Sequence, residues 1–178
     1  HGPYEPPAEF RRKYVGDRVT DAEAARLYKR ALAEPDSLSE REQQRLIDLY
    51  DGEIRYLDAN VGRLLDELSR LGIGDETLVL LTADHGEAFG ERGYYEHPRF
   101  LPQELTHVPL IATGAGVRSQ ETIRAPVSTL DVAPTIADVL DVEYAGPGRS
   151  LVATTGRPDP DRIVFAQARG EGEDAGLV

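Results

Sequence analysis

The sequence has no cysteine and no methionine anywhere in its 178 residues. Without cysteine it has no disulfide, no thiolate metal ligand and no sulfur nucleophile. A sequence that opens on His1 and lacks methionine is expected to be less than a whole translation product. Lysine is scarce as well: Lys13 and Lys29 are the only lysines among 20 basic residues. No apolar run has the length of a membrane span, and no signal-peptide pattern is visible. The compartment is left open by this, with the cytoplasm slightly favoured.

What is present is acid. Asp and Glu number 32 against 20 Lys and Arg, giving a net charge of −12. Such a surface repels nucleic acid and anionic membrane. Excess acid with arginine in place of lysine resembles the composition of a protein from a salt-loving organism; the alternative is an ordinary acidic protein from a GC-rich genome. Concentrated salt screens the self-repulsion that would loosen such a fold in dilute buffer.

One stretch concentrates the chemistry. Leu78-Val79-Leu80-Leu81-Thr82-Ala83 is an apolar run that ends in Asp84-His85-Gly86. A short apolar run bounded by turn signals predicts a fully buried strand. Ligands in α/β sheets sit beyond the carboxyl ends of strands. Asp84 and His85 would emerge there together, a hard oxygen beside a borderline nitrogen, which suits a divalent metal. Gly86 allows a sharp turn or a close approach.

The flanking elements are also legible. A helix is predicted from Thr20 or Asp21, with Ala24, Leu27, Tyr28 and Ala31 on one face and Pro35 as its stop. Ser39 and Glu42 form a capping-box pattern that opens a second helix, running to Leu71 with Gly72 as its left-handed stop. Tyr50, Ile54, Leu57, Val61, Leu64, Leu68 and Leu71 make one apolar stripe, expected to lie on a sheet, with Gly62 permitting close contact. Residues 87–106 are expected to be a long loop bearing Phe89, Tyr94, Tyr95, His97 and Phe100. Val108 to Thr113 is predicted as a second core strand, closed by Gly114 and Gly116. Asp131 is expected to start a helix that holds Pro134 in its first turn and runs to Leu140. Ile163-Val164-Phe165-Ala166 reads as a short strand, and 170–178 as a flexible tail.

The order of these pieces carries a resemblance. Tyr50-Asp51-Gly52-Glu53-Ile54-Arg55-Tyr56-Leu57-Asp58 is followed by Val61-Gly62-Arg63-Leu64-Leu65, Leu71-Gly72 and Asp75-Glu76-Thr77. Then come Ala83-Asp84-His85-Gly86-Glu87, Phe89-Gly90-Glu91, His97-Pro98 and His107-Val108-Pro109-Leu110-Ile111. This set resembles the sulfatase family of the alkaline-phosphatase superfamily, from His1-Gly2-Pro3-Tyr4 to about Arg149-Ser150-Leu151. It matches only the family's downstream half. The resemblance implies an α/β fold, an alkaline-phosphatase-like sandwich with a central sheet flanked by helices, here incomplete. Residues 1–169 would be the C-terminal portion of the catalytic domain.

The resemblance also implies roles. Asp84 and His85 match two metal ligands. His97 matches a residue that contacts the sulfate or assists the leaving group, and His1 matches a substrate-contacting histidine. His107 falls where the family varies and is read as structural. The metal implied is Ca2+ first, with Mn2+, Fe2+ or Zn2+ as alternatives because His85 brings nitrogen. A formylglycine nucleophile, made from Cys or Ser in a Cys/Ser-x-Pro-x-Arg motif, would lie in the missing upstream part. The substrate would be a sulfated small molecule or carbohydrate, and this piece alone would be inactive. Two alternatives stay open. One is a phosphonate or phosphodiester hydrolase of the same superfamily, where histidine also stands at the position of His85. The other is a non-catalytic α/β interaction module that kept the scaffold. In either case an incomplete sheet should expose apolar surface and favour self-association.

Overall fold

The structure, a computed structural model, describes residues 2–16, 19–98, 100–117, 122–154 and 159–167. His1 and the predicted tail at 170–178 lie outside the described residues. The chain divides into two compact units, one formed by His1–Asp66 with Gly86–Leu105 and the other by Glu67–His85 with Thr106–Val178.

The first unit is helical. Helix α1 spans Ala8–Val15 and α2 spans Asp21–Ala33. Thr20 caps α2 with a reciprocal box: its Oγ1 accepts from the Glu23 N–H, and Glu23 accepts from the Thr20 N–H at 2.8 Å. Ala24 and Ala31 are buried on the predicted face, with Leu27 and Tyr28 packed beside them. A 3-10 turn at Pro35–Ser37 separates α2 from α3, Glu40–Arg70. Glu42 accepts from the Ser39 N–H at 3.0 Å and the Ser39 hydroxyl at 2.8 Å, so the predicted start is in place. At 31 residues α3 is about 46 Å long. The helix closes at Gly72, whose φ of 72° is the left-handed stop that glycine adopts without strain.

The α3 stripe differs from expectation. The residues it buries are Leu46, Leu49 and Gly52, in its first half. Ile54, Leu57, Leu64 and Leu71 are exposed. The glycine in close contact is Gly52, where an added Cβ would stand 2.9 Å from Pro6 Cγ; nothing described comes within 4 Å of a Cβ at Gly62. None of the seven stripe residues is buried among the described residues; Tyr50 alone packs partly against the core, and the face that α3 buries is the one carrying Leu46, Leu49 and Gly52.

Residues 87–106, read as a loop, carry short elements. Strands β2 (Ala88–Phe89) and β3 (Tyr95–Glu96) pair antiparallel, and α4 spans Gln103–Thr106. Tyr4, Val19, Leu46, Leu49 and Phe89 complete the core of the first unit. Tyr4 is the hub of its aromatic part, edge-on to Tyr28 at 5.6 Å and to Tyr50 at 5.5 Å, and 5.8 Å from Phe89.

The second unit holds β1 (Leu78–Thr82) and β4 (Leu110–Gly114), which pair antiparallel with Leu80 opposite Ala112. The predicted burial of β1 is not reached: all five residues are half-buried, because β4 is its one strand neighbour among the described residues. Gly114 is required where it stands, since its φ is 89° and a Cβ would lie 1.9 Å from the Thr77 carbonyl oxygen. Helix α5 spans Val132–Val139 and rests against β1; α6 spans Leu151–Thr154. Residues 163–166, predicted as a strand, join no ladder, and Ile163 and Phe165 are exposed. A β-prone run needs a partner strand, and the described residues supply none there.

Candidate functional site

Asp84 follows β1 by two residues, and its side chain stands 92% exposed. Its Oδ1 accepts from the His85 N–H at 3.0 Å, a local bond of the kind aspartate makes at strand ends. His85 is the less exposed of the two, at 35%, and its Nε2 lies 3.9 Å from the same Oδ1. The side chains therefore face each other. Metal–ligand bonds are about 2.1–2.4 Å. Two donors 3.9 Å apart can share one ion. The described residues contain no group of three or more His, Asp or Glu able to hold a metal. Asp84 and His85 are two facing donor groups and not a complete centre among the described residues.

Gly86 turns the chain into tight backbone contact. Its N–H donates to the Leu105 carbonyl at 2.8 Å, and an added Cβ would lie 2.0 Å from the Glu104 carbonyl oxygen. The glycine of the motif is thus fixed by a close approach of backbone to backbone. The next residues are held from several sides. Glu87 is hydrogen-bonded to the Tyr4 hydroxyl. Ala88 and Phe89 are buried, the Phe89 N–H donates to Glu91 Oε2 at 2.7 Å, and Gln43 donates to the Phe89 carbonyl. Burial, with the Glu87 and Glu96 carboxylates nearby, pushes the Tyr4 phenol far above its ordinary range. Tyr4 stays neutral and donates.

His97 follows directly on β3. Glu96 before it takes a φ of 63°, a left-handed conformation uncommon outside glycine, so the chain bends sharply where His97 begins. His97 is half-buried. Nearby, Tyr94 and Phe100 pack edge to face at 4.6 Å, and Arg92 pairs with Glu104 at 3.2 Å. His97 belongs to the first unit and Asp84 and His85 to the second. His1 lies outside the described residues. His107 is exposed.

Asp131, expected as a helix-start acid, does more than cap. Fully buried, it accepts from the Ser128 N–H at 2.9 Å and the Arg149 N–H at 2.8 Å. It also takes both arms of Arg162, at 2.6 and 2.8 Å. Burial alone would raise its carboxyl, but Arg162 and the two N–H groups outweigh that and hold it below its ordinary range. Reading the sequence did not find Arg162, which lies 31 residues away, nor the Tyr4–Glu87 pair. Glu87 sits beside the Asp-His-Gly motif and Tyr4 beside His1-Gly2-Pro3, so both had a signal in position, though neither had one in spacing.

The family model for sulfatases matches residues 1–142. The choline-sulfatase of Rhizobium meliloti is 36% identical over 134 residues, which is 72% of this chain and 26% of that protein. A protein of Haloferax volcanii described as a low-salt glycan biosynthesis sulfotransferase, Agl7, is 38% identical over 106 residues, 57% of this chain and 26% of that protein. Among solved structures, the phosphonate monoester hydrolase SpPMH of Silicibacter pomeroyi superposes with a TM-score of 0.66 at 26% identity, over 92% of this chain and 33% of that one. The chain spans about a quarter of the length of these curated relatives.

Proposed function

The chain belongs to the sulfatase family, and from that premise we propose that it contributes part of the active site of a metal-dependent hydrolase of sulfate esters. The observation that carries the reading is the Asp84–His85 pair, 3.9 Å apart at the carboxyl end of β1, inside the stretch matched by the family. Asp84 and His85 would hold a divalent cation, Ca2+ first, with Mn2+, Fe2+ or Zn2+ admitted by the imidazole nitrogen. Such an ion supplies positive charge against the oxygens of an anionic ester. On a chain with net charge −12 an anionic substrate needs that local positive centre. His97 would meet the substrate's charged oxygens or the leaving group, and His1 would contact the substrate. The substrate class is a sulfated small molecule or carbohydrate, in line with the relative named for choline sulfate.

A second reading is favoured by the structural likeness to a phosphonate monoester hydrolase at a TM-score of 0.66. Both reactions call for a cation clamp and an activated nucleophile. The reading frame upstream of the His1 codon separates the two. A Cys/Ser-x-Pro-x-Arg motif there supports sulfate ester hydrolysis, and a threonine nucleophile without that motif supports the phosphonate reading. A start signal directly before His1 would instead favour a non-catalytic module. The chain alone is expected to hydrolyse 4-nitrophenyl sulfate no faster than buffer does. Enzyme-like turnover removed by Asp84→Ala would show a whole site within these residues and overturn the partial-site proposal.

A further inference from the structure

Tyr4 anchors a carboxylate as well as a core. It is 3% exposed, and its ring is held edge-on by Tyr28 and Tyr50 and against Phe89 at 5.8 Å. A ring fixed from three sides aims its hydroxyl in one direction, and that hydroxyl donates to Glu87. Glu87 is half-buried, so the bond holds a charged group in place where water reaches it only in part. A carboxylate has about four lone-pair sites, and one phenol leaves room for a further donor.

The β2–β3 hairpin shows which donor stands near. Ala88 pairs with Glu96 and Phe89 with Tyr95, and the Gly90 N–H donates to the Tyr94 carbonyl at 2.9 Å. Bonded and non-bonded pairs alternate in an antiparallel ladder. Gly90 with Tyr94 is therefore a bonded pair, Phe89 with Tyr95 a non-bonded one, and Ala88 with Glu96 bonded again. The ladder stops there, where the φ of 63° at Glu96 turns the chain. Glu87 and His97 are the first residues beyond it, one on each strand at the open end of the hairpin. Faces alternate along a strand, so Glu87 shares the face of Phe89, which is the face toward Tyr4.

We infer that Glu87 is a positioning residue for His97: its carboxylate, held by the Tyr4 hydroxyl, accepts a hydrogen bond from the imidazole and fixes the tautomer and orientation of the ring. With one ring nitrogen tied to Glu87, the other is presented outward. The inference deepens the proposed function and rests on it for the use of His97 at the substrate. Tyr4 acts through Glu87 and touches no substrate.

The test is a long-range proton–nitrogen correlation spectrum of the histidine rings in the 15N-labelled chain at neutral pH. His97 is expected to show a single tautomer. Glu87→Gln should raise the minor tautomer by about fivefold or more, the worth of one hydrogen bond. Tyr4→Phe keeps the ring packing and loosens the carboxylate, so it should move His97 in the same direction with little change in melting temperature. The ring of exposed His107 reports any general loss of fold and is expected to stay the same in both variants. A His97 ring already averaged between tautomers in the native chain overturns the inference. So does a His97 tautomer left unchanged by both variants. The spectrum needs neither metal nor substrate, so failure of the Asp84–His85 metal reading leaves its outcome as it is, and its own failure leaves that pair standing.

Discussion

Replacing Arg162 by methionine exposes the energetics of the second unit. In the native chain Asp131 is fully buried and accepts four hydrogen bonds, two from Arg162 and two from the N–H groups of Ser128 and Arg149. Arg162→Met removes the two charge-assisted bonds and leaves a buried carboxylate on two backbone donors. Breaking a buried ion pair from one side costs about 3–5 kcal/mol. The surviving backbone donors place this case near the lower end, about 3 kcal/mol, or a urea midpoint lower by about 1.5 M at a slope of about 2 kcal/mol/M. The pH dependence has a definite sign. The Asp131 carboxyl is depressed below its ordinary 3.8, so its contribution is full above that value and is lost as pH falls through the lower folded value. In the variant, burial acts with less opposition. The deficit is therefore expected to be largest at pH 7 and to shrink toward pH 3. Urea titrations followed by circular dichroism at both pH values measure it. A loss under about 0.5 kcal/mol at pH 7, or a deficit flat across the range, would refute the buried-pair argument.

Three further outcomes are expected. Glu42 is lowered to about 2 by Arg30 first and then by the Ser39 N–H and hydroxyl, so the stability it adds is full above 4.5 and lost as pH falls toward 2. A carboxyl NMR titration should report that low midpoint, and Glu42→Gln should remove this part of the acid sensitivity. Gly86→Ala would put a methyl 2.0 Å from the Glu104 carbonyl oxygen, and calorimetry should show a loss of about 1–3 kcal/mol; an unchanged melting temperature would contradict the close approach. With a net charge of −12, the chain should melt higher by about 5 °C or more when KCl is raised from roughly 0.1 to 2 M, whereas a flat response would remove the salt-adapted reading of its composition.

The local signals in the sequence were the readable ones. Thr20 with Glu23, Ser39 with Glu42 and Gly72 mark helix boundaries by hydrogen bonds made within a few residues, and all three act in the structure. The run Leu78–Thr82 gave β1, and Gly114 gave the end of β4, for the same reason. Long-range facts were not legible. The pairing of Asp131 with Arg162 and the bond from Tyr4 to Glu87 join residues brought together by tertiary packing, which spacing does not encode. The burial expected for β1 and for the α3 stripe also went beyond what these residues hold. Apolar periodicity states that a face seeks cover, but not that it finds it: Leu57 and Leu64 stand exposed among the described residues. Within the candidate site, the adjacency of Asp84 and His85 was readable because they are neighbours in sequence. The close approach at Gly86 involves Glu104 and Leu105, and the sequence motif gave no hint of that partner.

The most direct test of the central claim is a Mn2+ titration of the chain followed by NMR. The account predicts that substoichiometric Mn2+ broadens the His85 ring and the Asp84 and His85 amide signals first, and that Asp84→Asn abolishes the effect. Broadening that leaves His85 untouched, or that survives Asp84→Asn unchanged, would mean that the two side chains facing each other across 3.9 Å do not share an ion.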